Sequence, residues 1–190
     1  QTSRLPALSD GGEAVQLGVV RDDEDALTAA LTRALEHDVV LLSGGTSKGA
    51  GDLSYRVASR LGDPGIVAHG VALKPGKPIC LAVSHGKPVV ILPGFPTSAI
   101  FTFHEFVAPV IRAFAGLPPE RRATVTATLP MRVNSERGRT EYLLVGLVES
   151  DGRLSAYPMG KGSGSVMTFS GADGFITIDQ HTEIVDAGAE

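Results

Sequence analysis

The chain has 190 residues, of which 43% are hydrophobic and 20% are charged, and its formal net charge is −4. This composition is typical of a folded globular protein, and no apolar run approaches the ~20 residues needed to cross a bilayer. Seventeen basic residues against 21 acidic ones leave no basic excess of the kind that nucleic-acid-binding proteins use. The composition therefore argues against nucleic-acid and membrane partners.

The chain has a single cysteine, Cys80, inside the apolar stretch from Pro78 to Val83. One cysteine cannot form an internal disulfide, which favours a reducing, cytoplasmic compartment. We expect Cys80 to be a buried structural thiol rather than a reactive one.

The first 115 residues alternate between apolar runs typical of strands and periodic patterns typical of helices. In chain order we predict a short helix at 3–10, a strand at 14–20, a helix after residue 24, a strand at 37–42, a helix at 53–61, strands at 66–74, 79–83 and 89–92, and a helix at 97–115. This alternation is the pattern of a doubly wound α/β domain. The strand at 37–42 ends in four consecutive apolar residues, 39–42, as in a parallel sheet that is covered on both faces.

Three local signals refine these elements. The acidic residues at 22–25 supply capping oxygens and favourable charge for the helix that follows. Residues 84–88 are typical of a hairpin loop between two strands. Pro109 should interrupt the helix at 97–115, whose predicted buried face consists of Ile100, Phe103, Val107, Val110 and Phe114.

From residue 122 onward the pattern changes to short β-like runs separated by Gly and Asp turns. The runs are 124–129, 142–148, 154–157 and 175–178. They predict a small all-β domain, either a barrel or a sandwich. Gly116-Leu117-Pro118-Pro119 marks the boundary, which divides the chain into domains at 1–117 and 118–190.

A glycine-rich loop, Ser43 to Gly49, separates the strand at 37–42 from the next helix. Its backbone N–H groups suit a phosphate-like anion. An ordinary tight turn is the alternative, but seven consecutive small or polar residues between a strand and a helix are more than a turn needs. The loop differs from the phosphate-binding loop of nucleoside triphosphatases, because Ala50 stands where that motif has lysine. Asp52 is the nearest carboxylate, and it serves either as a Mg²⁺ ligand beside the anion or as a helix N-cap.

Two lysines, Lys74 and Lys77, occur in the sequence Lys-Pro-Gly-Lys-Pro. The prolines restrict the backbone, so this turn presents both ammonium groups with little conformational freedom left to lose. Together the two ammonium groups suit a multiply charged oxyanion. The alternative is that both lysines are solvated on a surface turn.

A third turn, Pro93-Gly94, leads into Thr97 and Ser98 at a predicted helix start. Their hydroxyls either cap the helix or contact an anion. Because each of the three turns follows an apolar run, we expect them to converge at one edge of the sheet, where ligands of open α/β sheets bind.

Cationic, glycine-bearing turns also occur in the second domain, at Arg137-Gly138-Arg139 and at Lys161 to Ser165. A planar guanidinium suits two-point contact with an oxyanion, and a plain loop is the alternative for each. The five histidines show no spacing typical of metal ligands, so we predict no metal site from them.

These motifs, in this order, resemble those of the molybdopterin molybdenumtransferases, which include the E domain of gephyrin-like proteins. The resemblance rests on Ser43-Gly44-Gly45-Thr46-Ser47, Val71 to Pro78, Leu92-Pro93-Gly94 with Pro96 and Ser98, Gly138 to Tyr142, and Gly162-Ser163. It implies a three-layer α/β/α molybdopterin-binding domain at 1–117, followed by the family's small all-β barrel domain at 118–190. It also implies that the family's two N-terminal domains, the first strand of its α/β domain and its last barrel strand lie outside this sequence.

In that family, adenylylated molybdopterin and molybdate react with Mg²⁺ present, so that the metal enters the dithiolene and AMP leaves. Carried over by position, the residues that face the pterin phosphate or nucleotide are Gly44, Gly45 and Ser47, and Lys48 adds a cation. The residues that hold molybdate, or tungstate, are Lys74, Lys77, Ser98, Arg139 and Ser163. The resemblance further implies catalytic roles for Lys74, Lys77 and Asp52, Mg²⁺ binding by Asp52, and a homodimer in the full-length protein.

The chain departs from the family pattern at three positions. Ala50 stands where the family has an acidic residue, Lys48 replaces a small apolar residue, and Phe95 replaces the asparagine of a Pro-Gly-Asn-Pro turn. Mg²⁺ binding therefore falls to Asp52 alone or to residues outside this segment.

Ala50 also keeps open a second function, a non-catalytic module that binds molybdopterin or an oxyanion for sensing, delivery or scaffolding. A third is an unrelated phosphosugar or nucleotide enzyme on the same fold. For the 190 residues alone we expect weak or no catalysis, because the family builds its site across a dimer with the missing domains.

Overall fold

The structure is a computed structural model that describes residues 10–21, 23–44, 53–62, 64–160 and 166–190. The chain divides into two units. The first comprises Gln1–Val71, Pro78–Gly94 and Ala99–Arg121, and the second comprises Ala72–Lys77, Phe95–Ser98 and Arg122–Glu190. Two short segments that precede residue 122 therefore belong with the C-terminal part of the chain.

The strands and the helices are numbered separately, each in chain order. The strands are β1 (Val40–Ser43), β2 (Gly65–His69), β3 (Leu73–Lys74), β4 (Cys80–Ser84), β5 (Lys87–Leu92), β6 (Val133–Asn134), β7 (Thr140–Ser150), β8 (Arg153–Pro158), β9 (Gly174–Ile178) and β10 (Ile184–Val185). The helices are α1 (Glu24–Ala34), α2 (Leu53–Ser59), α3 (Pro96–Thr102), α4 (Ala108–Phe114) and α5 (Val166–Ser170), with a π-helical turn at Phe103–Val107.

The first unit contains a four-stranded sheet in the order β1-β5-β4-β2. β1 and β5 run parallel, whereas β4 is antiparallel to both β5 and β2. The α/β alternation and the predicted hairpin loop are confirmed, and the sheet is mixed rather than all-parallel. The reason is the predicted hairpin: β4 and β5 are joined by only His85 and Gly86, with φ of 51° and 74°, and so short a loop can join only antiparallel strands.

Helix α1 begins as the acidic run predicts. The side chain of Asp23 accepts a hydrogen bond from the Ala26 N–H at 2.8 Å, and Glu24 and Asp25 lie in the first turn. Leu27, Ala30 and Leu31 form its buried face. Local capping and helical periodicity were sufficient to place this helix.

The long helical segment is interrupted near Pro109 and buries Phe103 and Val107, as predicted, but beyond the interruption its buried face differs from the prediction. Proline has no N–H to donate, and one residue earlier the Ala108 N–H bonds to the carbonyl of Phe103 in a π-type turn. The extra residue in that turn rotates the following helix. Ala108 and Ile111 are therefore buried, while Phe114 is 60% exposed.

Two predicted strand features are wrong. Residues 14–20 form no strand, and Val19 is fully exposed, because no strand among the described residues pairs with this segment. β1 is covered less completely than its apolar sequence suggests, since Leu41 is 36% exposed. The predicted helix at 3–10 lies outside the described residues, apart from Asp10, which is in a turn.

The core of the first unit is mainly apolar and lies on the sheet and its helices. Its most buried apolar members other than proline, none more than 1% exposed, are Ala58, Ile79, Cys80, Val89, Ile91, Val107 and Ala108, and the polar residues Ser84 and Thr102 are fully buried as well. The prediction that Cys80 is buried is thus confirmed. None of the described helices is long and apolar enough to cross a membrane.

The second unit is mainly β, as predicted. β7 pairs in parallel with β3 and antiparallel with β8 and β9, while β6 and β10 form a separate antiparallel pair. The predicted strand at 124–129 is reduced to one bridge, between Thr128 and Ser155. Closure of these strands into a barrel is not established by this pairing, and the barrel stays a prediction.

Candidate functional site

The Lys-Pro-Gly-Lys-Pro turn begins at Lys74 in β3, and both of its lysines belong to the second unit. Leu73 and Lys74 pair in parallel with Thr140 and Glu141 of β7, and the Thr140 N–H bonds to the carbonyl of Ala72 at 2.9 Å. This pairing places the lysine turn directly beside the Gly138-to-Tyr142 motif. Two motifs more than sixty residues apart in sequence are therefore neighbours in space.

The turn itself has a defined backbone. The Lys74–Pro75 peptide bond is cis, and Gly76 has a φ of 122°, a conformation that other residues rarely adopt. Lys74 is partly buried and Lys77 is exposed. Lys77 has no ion-pair partner within the part of the chain that the structure describes.

Two of the three predicted turns do leave the same edge of the sheet. β1 and β5 are parallel neighbours with Ser43 opposite Leu92, so Gly44 and Pro93 follow adjacent strand ends. The Gly44 N–H bonds to the carbonyl of Leu92 at 3.4 Å, and Gly44 has a φ of 100°. This edge of the first unit is where the glycine-rich loop begins.

The predicted site residues fall into three groups. The second unit contains Lys74, Lys77, Ser98 and Arg139, which come from three separate segments of the chain. Gly44 belongs to the first unit. Outside the described residues lie Gly45, Ser47, Lys48, Asp52 and Ser163.

Arg139 has a carboxylate partner in this structure. Its Nη2 lies 3.1 Å from Oε2 of Glu136, and the two side chains are 33% and 57% exposed. An exposed pair three residues apart stabilises a protein only weakly, by about 0.5 kcal/mol. The Glu136 carboxylate therefore binds the Arg139 guanidinium only weakly.

The hydroxyl residues after the Pro93-Gly94 turn are both buried. Thr97 is 3% exposed and Ser98 is 4% exposed. The Thr97 Oγ1 atom has no hydrogen-bond partner among the described residues, so of the two alternatives for Thr97, capping the helix or contacting an anion, capping is not observed. The helix starts one residue earlier, at Pro96, which places Thr97 inside its first turn.

Sequence reasoning missed a buried acidic residue at this site, Glu141, which is 3% exposed. Its Oε1 lies 3.3 Å from the Lys74 Nζ, and its Oε2 accepts a hydrogen bond from the Ser135 hydroxyl at 2.7 Å. The signal was present in the sequence, because Glu141 opens the apolar run Tyr142 to Val148. A charge at a buried strand position requires a partner.

The described residues do not supply a metal site. Among them, no group of three or more His, Cys, Asp or Glu side chains is arranged to hold an ion. Asp52, the predicted Mg²⁺ ligand, lies outside the described residues. What these residues offer is a set of cations and hydroxyls suited to an oxyanion.

Comparison with known families assigns both parts of the chain. A family described as "Probable molybdopterin binding domain" matches residues 6–113, and the "MoeA C-terminal region (domain IV)" matches residues 126–190. The class is thus a molybdopterin-binding α/β domain followed by a MoeA-type C-terminal domain. The chain belongs to the molybdopterin molybdenumtransferase family.

Individual relatives agree with this assignment. Molybdopterin molybdenumtransferase 2 of Mycobacterium tuberculosis is 31% identical over 97% of this chain and 47% of its own length. The molybdopterin molybdenumtransferase of Synechocystis sp. is 32% identical over 95% of this chain and 44% of its own length. The chain therefore spans less than half the length of these curated relatives.

Solved structures agree as well. The molybdopterin biosynthesis MoeA protein from Pyrococcus horikoshii is 38% identical, with a TM-score of 0.76 over 96% of this chain and 44% of that protein. A molybdenum cofactor biosynthesis protein from Pyrococcus furiosus has a TM-score of 0.71 at 24% identity, which supports the fold alone.

Proposed function

We propose that this chain acts in molybdenum cofactor biosynthesis by holding molybdate, or tungstate, for insertion into adenylylated molybdopterin, with release of AMP. The observation that carries the proposal is the grouping of Lys74, Lys77, Ser98 and Arg139 in one unit, although they come from three segments of the chain. Membership of the molybdopterin molybdenumtransferase family supports the reaction class.

The residues of this chain act by position and charge rather than as nucleophiles. Lysine and arginine side chains bind an oxyanion through charge-assisted hydrogen bonds, and a serine hydroxyl adds a neutral donor. Holding a dianion next to an anionic nucleotide requires that their mutual repulsion be offset. Lys77, which is exposed and pairs with no carboxylate of the described residues, supplies an uncompensated positive charge.

The remaining roles in the proposal come from the family resemblance. Gly44, Gly45, Ser47 and Lys48 contact the phosphate or nucleotide of the pterin substrate, and Ser163 adds a further hydroxyl to the molybdate site. The resemblance also implies Mg²⁺ bound by Asp52 and a homodimer of the full-length protein. The roles of Lys74, Lys77, Ser98 and Arg139 in holding the oxyanion do not depend on that ion.

Binding is tested on the 190-residue chain by titration with molybdate and tungstate. Replacing Lys74 or Lys77 by Ala should weaken binding by about 10- to 100-fold, because a hydrogen bond to a charged group contributes about 1.5–3 kcal/mol. Lys87→Ala is the matched control, since Lys87 lies in the first unit and bonds to the carbonyl of Leu35 at 2.6 Å. Equal losses in all three variants, or no binding by the unmodified chain, would overturn the proposed site.

Catalysis is tested on the full-length protein. Adenylylated molybdopterin, molybdate and Mg²⁺ should yield AMP, which is measured by chromatography. Oxyanion binding without AMP release would instead favour the non-catalytic module, which Ala50 in place of the family's acidic residue keeps as the second candidate. A tungstate-soaked crystal would locate the anion against Lys74, Lys77, Ser98 and Arg139.

A further inference from the structure

Glu141 is a buried carboxylate for which the proposed function gives no role. Its side chain is 4% exposed, and each of its oxygens has a partner: Lys74 at 3.3 Å and the Ser135 hydroxyl at 2.7 Å. A carboxylate is expensive to bury unless it is paired and hydrogen-bonded. The fold therefore keeps this charge at a specific place, beside a lysine of the proposed oxyanion site.

The three groups are held by backbone pairing on separate elements. Lys74 of β3 lies directly opposite Glu141 of β7 in the parallel register. Ser135 follows β6, and its N–H bonds to the carbonyl of Glu183 at 2.8 Å. The backbone positions of Ser135 and Lys74 are thus fixed independently of any ligand.

This arrangement limits where the Lys74 ammonium can lie. A lysine side chain has four rotatable bonds and loses considerable freedom when it is fixed. With one donor directed to Glu141, about a third of the Lys74 side chain stays exposed, 32% by area. An anion then meets an ammonium whose position is already set, as preorganised binding requires.

Glu141 also has an electrostatic effect of opposite sign. Its negative charge offsets the charge of Lys74, so its presence weakens the attraction for every dianion alike. A residue that only repels anions would be a poor addition to an oxyanion site. The geometric effect and the charge effect can be separated, because only the geometric effect distinguishes dianions of different size.

We propose that Glu141, oriented by Ser135, is a positioning residue that fixes the Lys74 ammonium and so sets which tetrahedral dianion the site accepts. This inference rests on the proposed function, in which Lys74 contacts molybdate. Molybdate and sulfate carry the same charge at neutral pH, but the Mo–O bonds are longer than the S–O bonds. A fixed ammonium suits one of these sizes better than the other.

The test is the selectivity ratio, the dissociation constant for sulfate divided by that for molybdate, measured by titration of the 190-residue chain. Glu141→Gln keeps the size of the side chain but removes its charge and should lower the ratio at least fivefold. Ser135→Ala, which leaves the ion pair in place, should lower it by a smaller factor. If both constants shift by one common factor in both variants, Glu141 acts through charge alone and the proposal is wrong.

Asp10→Asn is a matched control for the loss of a buried ion pair. Asp10 is also 4% exposed and lies 3.3 Å from Arg112, but this pair belongs to the first unit. Its loss should leave the selectivity ratio unchanged. A chain that binds no molybdate would refute the proposed function as well, whereas selective binding with an unchanged ratio in Glu141→Gln and Ser135→Ala would refute only the role of Glu141.

Discussion

The two units differ in the partner of the carboxylate that each of them buries. The first unit packs Ile79, Val89 and Ile91 almost completely around its sheet, and its buried Asp10 pairs with Arg112. The second unit has an apolar cluster that includes Leu143 and Ile178, and its buried Glu141 pairs with Lys74, a residue of the proposed oxyanion site. Apolar packing stabilises a fold without directional requirements, whereas a buried charge fixes the positions of its partners. We therefore expect stability to depend mainly on the first unit and oxyanion selectivity on the second.

The largest expected effect is on the stability of the first unit. Ile91 is 1% exposed in β5 and packs in a cluster with Ala58 and Cys80. Ile91→Ala should lower the free energy of unfolding by about 2–5 kcal/mol, since it removes buried methyl groups and leaves a cavity. Urea denaturation measures this change.

Val67→Ala is the control for that experiment, because Val67 lies in β2 of the same sheet but is 63% exposed. Its effect on the free energy of unfolding should stay within about 0.5 kcal/mol. Similar losses in the two variants would show that burial does not explain the stability of this sheet.

A smaller loss of stability is expected at Gly65, where β2 begins. Gly65 has a φ of 81°, and a Cβ atom added there would lie 2.5 Å from the carbonyl oxygen of Leu61. Gly65→Ala should destabilise the chain by about 1–3 kcal/mol, because both the backbone conformation and the contact are unfavourable. Thermal unfolding monitored by circular dichroism measures the change.

Gly62→Ala serves as the comparison for Gly65→Ala. Gly62 lies three residues away, and a Cβ atom there would meet nothing within 4 Å. This variant should be neutral or slightly more stable than the unmodified chain. If it unfolds at the same temperature as Gly65→Ala, the strain argument for Gly65 is wrong.

The smallest expected effect is on anion affinity in the second unit. Glu136 pairs with Arg139 at 3.1 Å, and a bound oxyanion must displace it. Glu136→Gln should therefore raise the affinity for molybdate, but only by about two- to fivefold, because an exposed pair is weak. The measurement is a molybdate titration at low salt, where surface charge is least screened.

Glu183→Gln provides the matched control for Glu136→Gln. Glu183 pairs with Arg137 at 3.7 Å, and both side chains are more than half exposed. Both variants remove one negative charge from the same unit, but only Glu136 contacts an arginine of the proposed site. An equal gain of affinity in both would mean that net charge, rather than competition for Arg139, sets the effect.

Local features were predictable because their physical causes lie within a few residues. The Asp23 cap of α1 and the two-residue hairpin loop at His85 and Gly86 are examples. Capping bonds and turn conformations depend on neighbouring residues alone. The motifs around Lys74 and Arg139 were likewise visible in the sequence, and they were sufficient to identify the family.

Features that depend on distant partners were not predictable in the same way. Residues 14–20 have an apolar pattern typical of a strand, but a strand forms only where another strand pairs with it. The π-type turn before Pro109 rotated the next helix and exposed Phe114, which periodicity alone had placed in the core. Each error arose where packing, rather than local preference, decided the outcome.

The sequence by itself determined the identities and order of the cationic and glycine-rich motifs, since these are properties of the chain alone. Only the tertiary structure decided that Lys74 belongs to the second unit. There it pairs with Glu141 of β7, and the Ser135 hydroxyl donates a hydrogen bond to the same carboxylate. The physical reason is that a buried carboxylate is stable only where the fold supplies both a cation and a hydrogen-bond donor. Those partners come from segments whose proximity no local pattern encodes.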